Sequence, residues 1–353
     1  MNQSDLFKII TNHKDNSLPF VVFNEPYSDN IIAKLQIDDT LHTECDLSTG
    51  AFIFAPFDSE KFNKIYMPFD QCKSYKSVNL NEVIKSNLKN KSSDNKLNKS
   101  SHINLINKSL LAINDGILKK VVLSRIESMS ITSVDLAIVF QKLLSFYKNS
   151  FVYIWFHPKV GFWVGASPEK LLTIEDDFMQ TVALAGTTKE GSDGLVSWSE
   201  KEIKEQQYVK SYILDSLNNV VDNLSSDELV NVKSGDLFHL CSKISGTLKS
   251  FSDYKDIIKL IHPTPAVCGI PLDTSKEFIN KNECYERSYY TGYLGVISPI
   301  QKSVKLYVNL RCAEVLNNSI KIYVGGGITK ESKPGDEFEE TVAKSHIMKN
   351  VFY

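Results

Sequence analysis

Residues 323–346 read YVGGGITKESKPGDEFEETVAKSH. A β-branched run, IKIYV, leads into Gly325, Gly326 and Gly327, and a helix is predicted from about 335 to 350. Glycine-rich turns that open a helix ordinarily cradle phosphate on their backbone N–H groups. Here Glu337, Glu339 and Glu340 crowd the helix start and would repel phosphate. The pattern therefore predicts a different ligand, reached through a cation. Just upstream, LYVNLRCAEV reads as another strand, so two strands follow each other before a helix intervenes.

Toward the N-terminus the same order recurs. KKVVLSRIE (119–127) is a β-branched strand, FVYIWFH and FWVGAS form a hairpin turned by Pro158 to Gly161, and LLTIEDDFMQTVALAGT gives two more short strands. Apolar residues at helical spacing mark 102–115, 133–147, 199–224 and 253–261. Residues 1–80 alternate short apolar runs with polar turns and read as strands with little helix. Residues 81–101, rich in Lys, Asn and Ser, read as a polar connector. Strands in hairpin-like succession, with helices between groups of them, predict an α+β sandwich: mainly antiparallel sheets with helices packed outside. The 353 residues are read as one domain, with a strand-rich part (1–80), the connector (81–101) and a motif-bearing core (102–353).

With 40 basic against 42 acidic residues the formal charge is −2, which argues against a nucleic-acid surface. No apolar run is long enough to span a bilayer, and the first residues lack the pattern of a secretory signal. Six scattered cysteines, without CxxC or zinc-site spacing, are expected to be reduced thiols in a cytoplasmic chain. A monomer is the default expectation.

Glu202 and Glu205 lie three apart on the 199–224 helix; Glu337 and Glu340 lie three apart on the terminal helix, with Lys344 four further on. Each helix can present two carboxylates to one point. Two such pairs facing each other need a cation between them, and oxygen ligands suit Mg²⁺. Solvated surface acids are the plain alternative. Lys120 opens a strand, ordinarily a rim position; to act as a base it must first lose its proton through burial or a nearby cation. Glu169 sits at the strand-to-turn corner of GASPEKLL. In KLYVNLRC, alternation puts Lys305, Tyr307, Asn309 and Arg311 on one face, a polar surface whose guanidinium suits a carboxylate. HPTPAVCGIP (262–271) is a rigid proline loop, and His239 and His262 are the histidines to watch, although each is more often structural.

KVVLSR, GASPEKLL, ALAGT, SEKEIKEQQYV, HPTPAVCG, ERSYYTGYLG, LYVNLRCAEV and GGGI…GDEFEETVAKSHIM occur in the order seen in the chorismate-utilising enzymes. Over residues 102–353 the chain resembles the isochorismate synthases of that family. The resemblance implies a two-sheet sandwich with the site between the layers. It implies Mg²⁺ held by Glu205 and Glu340, with Glu202 and Glu337 beside them through water. Lys120 matches the general base and Glu169 the general acid. Arg311 and Lys344 match groups that hold substrate carboxylate, with Tyr290 and the Gly325–Gly327 backbone nearby. Ala185, Gly186 and Thr187 match a strand lining the ring, and His239 a histidine near the reacting face. Many members carry Arg and His where this chain has Ile203 and Gln206, which puts the packing of that helix in question.

The reaction implied is isomerisation of chorismate to isochorismate, feeding menaquinone or siderophore synthesis. Water adds at one ring carbon and hydroxyl leaves another, so no redox cofactor is called for. Relatives that use ammonia typically lack a lysine at the 120 place, and aminodeoxychorismate enzymes often carry lysine in place of Ala185. Both features favour water here. Salicylate synthases, which go on to eliminate pyruvate, share the lysine but usually lack the HPTPA loop; they are the alternative. A non-catalytic chorismate-binding protein is a more distant one.

Overall fold

Alternating apolar side chains build the frame, and long-range pairing decides where each run goes. The computed structural model of the chain describes residues 1–79, 96–188, 190–191, 194–234 and 237–353. In chain order come α1 (Gln3–Asp15), β1 (Phe20–Asn24), β2 (Asn30–Gln36), β3 (Ala51–Ala55), β4 (Ile65–Pro68), β5 (Cys72–Val78), α2 (Lys96–Asn114) and β6 (Lys120–Ser130). Next are α3 (Leu136–Phe146), β7 (Phe151–His157), β8 (Gly161–Ser167), β9 (Lys170–Glu175), β10 (Phe178–Thr188) and α4 (Glu200–Leu217). Then follow β11 (Val221–Ser226), β12 (Val230–Ser234), β13 (Leu237–Leu248), α5 (Tyr254–Ile261), β14 (Gly269–Ile270) and α6 (Leu272–Asn282). The chain closes with β15 (Tyr293–Ser298), β16 (Ser303–Val308), β17 (Cys312–Val315), β18 (Ser319–Ile328) and α7 (Pro334–Val351).

The strands form two antiparallel sheets. The first runs β14-β6-β18-β17-β8-β7-β1-β2-β5; the second runs β11-β13-β10-β9-β16-β15-β3-β4, with β12 also on β13. The expected α+β sandwich is thus the observed one. Between the sheets lies an aromatic layer. Phe54 stacks on Trp155 and Tyr289 at 4.5 Å, and Phe151 on Tyr307 at 4.5 Å. Each such pair adds about 0.5–1.5 kcal/mol to the area it buries. Outside, Leu6, Phe7 and Ile10 of α1, Phe140 of α3 and Met348 of α7 cover the first sheet. Val209 and Ile213 of α4 and Ile257 of α5 cover the second.

Several local expectations are corrected. The N-terminal part holds a helix, α1, capped by Asn2, whose side chain accepts from Asp5 N–H. Residues 81–95 of the connector lie outside the described residues, whereas 96–101 already belong to α2. Packing on α7 overrides their polar composition: Lys99 pairs with Glu339 at 2.8 Å and sits over the Phe338 ring. The helix expected to reach 224 stops at Leu217, because Val221 is drawn into β11 opposite Leu248. The three glycines form no turn; Gly325, Gly326 and Gly327 lie within β18, opposite Ser124, Leu123 and Val122.

The expected single strand over 305–312 is two strands in different sheets. β16 belongs to the second, β17 to the first, and the chain crosses between them at 309–311. The polar face dissolves accordingly. Lys305 pairs with Glu25 at 2.7 Å, Tyr307 joins the aromatic layer, and buried Asn309 accepts from the Tyr153 hydroxyl at 2.6 Å. Arg311 alone of the four lines the cleft, with its backbone at φ +47°. A second crossover, Pro168 and Glu169, links β8 to β9. The two crossovers are tied together: Val308 N–H donates to Glu169 O at 3.0 Å and Ala166 N–H to Arg311 O at 3.1 Å. Glu169 and Arg311 are thereby held side by side between the sheets.

Candidate active site

The cleft at this junction is lined by Glu169, Ala185, Gly186, Glu202, Glu205, His239, Tyr290, Arg311, Gly325, Gly326, Gly327, Glu340 and Lys344, all expected from the sequence. Lys201, Val267, Thr291 and Leu310 line it too and were not expected. Lys201 carried a readable signal, standing four residues before Glu205 on the same helix. Thr187 lies on β10, but its side chain is outside the described residues. His262 does not line the cleft; it is partly buried with its Nε2 3.1 Å from Thr291 O, and desolvation pushes its pKa down to about 4.

Lys120 is not at a rim. It is completely buried, with Glu205 Oε1 at 2.9 Å. The contact is an ion pair without directed hydrogen-bond geometry, since Nζ has no hydrogen-bond partner. Glu169 is buried as well, and desolvation pushes its pKa up to about 7, against the pull of Lys120 and Lys344. Lys120 and Glu337 do not themselves line the cleft: Lys120 stands against Glu205 and Glu337 against Lys201, both lining residues, and the charge of Lys120 reaches Glu169.

The carboxylates come from two helices. α4 lies against the second sheet, where buried Gln206 donates to Ala183 O at 3.3 Å and Ser242 Oγ at 3.2 Å. The helix is therefore pinned by the glutamine, which answers the doubt its departure raised. Glu202 serves the cap: its Oε2 accepts from Ser199 N–H at 3.0 Å and from the Ser199 hydroxyl. The remaining three carboxylates each have a lysine. Glu205 has Lys120 at 2.9 Å, Glu337 has Lys201 at 2.5 Å, and Glu340 has Lys344 at 2.6 Å. Burial opposes the charge on Lys201, yet Glu337, then Glu205 and Glu340, raise its pKa above the ordinary value. Glu337 is itself raised, chiefly by burial. As they lie, no three Asp, Glu, His or Cys side chains among the described residues surround one point.

The glycines explain how these groups approach. Neighbouring positions on a strand face opposite sides. A Cβ at Gly327 would stand 2.4 Å from Glu205 Oε1; one at Gly326 would stand 3.7 Å from Glu337 Oε2 and Glu340 Oε1. Of these two positions, only Gly327 is closed to a side chain; at Gly326 a methyl group would make an ordinary contact. Gly186 adopts φ +74°, and a Cβ on it would meet Glu202 Cβ at 2.9 Å.

Arg311 is oriented by a relay. His239 Nδ1 stands 2.9 Å from Gly186 O and its Nε2 3.3 Å from Arg311 Nη2. An N–H at Nδ1 donating to the carbonyl leaves the Nε2 lone pair to accept from the guanidinium. Burial, then Arg311 and Lys344, depress the His239 pKa to about 3, which favours the neutral ring near pH 7. Lys344 also donates to Gly325 O at 3.1 Å, and Tyr290 stacks on Tyr323 with centroids 5.3 Å apart.

Residues 31–353 match the family model described as chorismate binding enzyme. The isochorismate synthase of Haemophilus influenzae is 28% identical over 261 residues, covering 70% of this chain and 59% of that protein. The isochorismate synthase of Bacillus subtilis is 31% identical over 195 residues, 52% of this chain and 49% of that one. The chain thus spans about half to six tenths of the length of these curated relatives. The solved structure of the menaquinone-specific isochorismate synthase from Escherichia coli is similar in fold, with a TM-score of 0.81 at 21% identity over 95% of this chain and 89% of that one. The anthranilate synthase component I from Streptococcus pneumoniae follows at 0.69 and 17%, over 93% of this chain and 89% of that one. A family match that runs over residues 31–353, most of the chain, means that this chain belongs to the chorismate binding enzymes.

Proposed function

We propose that the chain converts chorismate to isochorismate. The observation that carries this reading is Glu169, a buried acid of the cleft whose pKa burial raises to about 7 and which feels the charge of Lys120, itself fully buried against the cleft residue Glu205. Lys120 takes a proton from the attacking water as a C–O bond forms at one ring carbon. The ring double bonds shift, and the C–O bond to the allylic hydroxyl breaks. Glu169 protonates that oxygen, which leaves as water. One water enters and one departs, and no electrons change hands. Arg311, fixed by His239, and Lys344 hold substrate carboxylate.

A divalent cation suits the donor set, which is oxygen only. Support for it is that one ammonium, Lys201, already feels Glu337, Glu205 and Glu340. Glu205 and Glu340 would hold the ion, with Glu202 and Glu337 beside them. Bound there, Mg²⁺ would offset the carboxylates and polarise the ring carboxylate of the substrate. We assign the reaction to the cytoplasm, a reading supported by six free cysteines, and to a single chain, which supplies every group named. The names of the relatives fit product use in menaquinone or siderophore synthesis.

Incubating the purified protein with chorismate and Mg²⁺, then separating the products, tests the reading. Isochorismate is expected as the main product, and chelation of the metal is expected to stop its formation. Salicylate plus pyruvate as the main outcome would replace the proposal with the pyruvate-eliminating reaction, and no turnover would overturn both.

A pH profile tests Glu169. An acid catalyst works protonated, so kcat/KM is expected to fall as pH rises through about 7, the value to which burial pushes this carboxyl. Glu169→Gln cannot give up a proton; it is expected to lose about 10²–10³-fold in kcat and the alkaline limb with it. A variant that keeps the wild-type limb would assign that limb to another group.

A further inference from the structure

Beneath Lys120 lies a buried ion pair that the chemistry above does not use. Glu283 and Arg287 are 8% and 3% exposed. Arg287 Nε and Nη2 donate to the two carboxylate oxygens at 2.8 and 2.6 Å, a bidentate fork. Taking both charges from water costs several kcal/mol per ion before pairing, so such a pair is a poor device for stability alone. What it touches gives it another use. Arg287 Nη2 also donates to Val122 O at 2.7 Å, and Nη1 to Val267 O at 2.9 Å. Glu283 Oε1 accepts from Ser124 N–H at 2.7 Å and from the Ser124 hydroxyl at 2.8 Å.

Val122 and Ser124 belong to β6, the strand that Lys120 opens. On one side β6 is paired with β18 over Val121 to Ser130, which sets Val122 against Gly327 and Ser124 against Gly325. On the other side β14 pairs with Lys120 and Val121, and Cys268 O just before it accepts from Val122 N–H at 2.8 Å. Beyond that the edge would be open at Val122 O and Ser124 N–H, on residues that oppose Gly327 and Gly325. Arg287 and Glu283 fill that edge with a side-chain acceptor and donors. The same guanidinium reaches Val267 of the proline loop, and its Nη1 also donates to Thr291 Oγ1 at 3.4 Å in the segment that carries Tyr290. Three walls of the cleft therefore meet on one ion pair.

We propose that Glu283 and Arg287 are positioning residues for Lys120: together they stand in for a missing neighbouring strand along Val122–Ser124 and set where Lys120 enters the cleft. The inference rests on the base role of Lys120 for its kinetic consequence, not for the edge contact itself. A shift of about 1 Å in a reacting group costs on the order of 10²-fold in rate without a matching loss of binding.

The test uses Glu283→Leu/Arg287→Met, which removes both charges and leaves none unpaired, and Arg287→Lys, which keeps the charge but lacks the fork. Melting, kcat, KM for chorismate and amide hydrogen exchange across residues 120–126 are measured. Both variants are expected to fold, to exchange the Ser124 amide about tenfold faster or more, and to lose about 10–100-fold in kcat with KM within about threefold. Unchanged Ser124 exchange overturns the edge contact whatever the activity. Faster exchange with wild-type kcat, or recovery of kcat by Arg287→Lys, overturns the positioning role. A wild-type protein that does not turn over chorismate sinks the functional reading and leaves exchange at Ser124 to decide the edge contact.

Discussion

Lys120→Ala is expected to lower kcat for isochorismate formation by about 10³-fold, near the middle of the range for loss of a general base. The variant removes a fully buried amine from the side of Glu205 at 2.9 Å, so two effects are mixed in it. One is loss of the base. The other is an uncompensated carboxylate, which on its own costs about 3–5 kcal/mol when a buried pair is broken. A lower melting temperature is therefore expected, partly restored by Mg²⁺ if the ion takes over Glu205. Lys120→Arg separates the two effects. It keeps a cation beside Glu205, but a guanidinium does not give up its proton near neutral pH. Steady-state kinetics on both variants, with melting curves with and without Mg²⁺, make the comparison. Loss of turnover in both supports the base; an arginine variant with near-normal kcat would reduce Lys120 to a counter-charge.

The contrast between a rim lysine and a buried one shows what the sequence could and could not convey. The apolar runs of β7 and β8, joined by a Pro–Gly turn, and the helical spacing of apolar residues in α3, α4 and α5 are short-range patterns, and they were readable. The residues that share the cleft travel in ordered motifs: Glu169, Arg311 and Glu340 line it, and Glu337 stands against the lining residue Lys201. Burial of Lys120 was not readable. It comes from elements far apart in the chain: Glu205 of α4 stands 2.9 Å from the Lys120 Nζ, and Ile270 of β14 pairs with Lys120. Nor could alternation show that 305–312 changes sheets, since an apolar–polar rhythm is the same whether the strand continues or crosses. Lys201 escaped because a lysine in the first turn of a polar helix looks like solvent-facing charge until Glu337 arrives from α7. The pairing of Glu283 with Arg287 had a local signal, four residues apart, but one equally typical of a surface helix pair.

Gly327→Ala is expected to leave the fold almost untouched and to cost about 10²-fold or more in kcat/KM. Its backbone is not in the left-handed region, so alanine brings no strain at that position. The new Cβ would stand 2.4 Å from Glu205 Oε1 and 3.2 Å from Glu205 Cδ and Lys120 Cε. All three atoms lie toward the ends of flexible side chains, so these can give way where backbone could not. The melting temperature is therefore expected to move little, while the base and a proposed metal ligand are both displaced. Gly326→Ala is the control on the same strand: its Cβ meets Glu337 and Glu340 oxygens at 3.7 Å, an ordinary contact, and activity within a few-fold of wild type is expected. Gly325→Ala is the opposite control, since its Cβ meets Leu123 O at 2.8 Å and backbone must move, which should appear as lost stability. Kinetics at saturating chorismate against Mg²⁺ concentration separates the cases. A weaker apparent Mg²⁺ affinity in Gly327→Ala alone ties the missing side chain at 327 to the approach of Glu205. Three alanine variants with equal activity would mean that the glycines serve only to pack β18 against β6, and that the carboxylates do not meet across them.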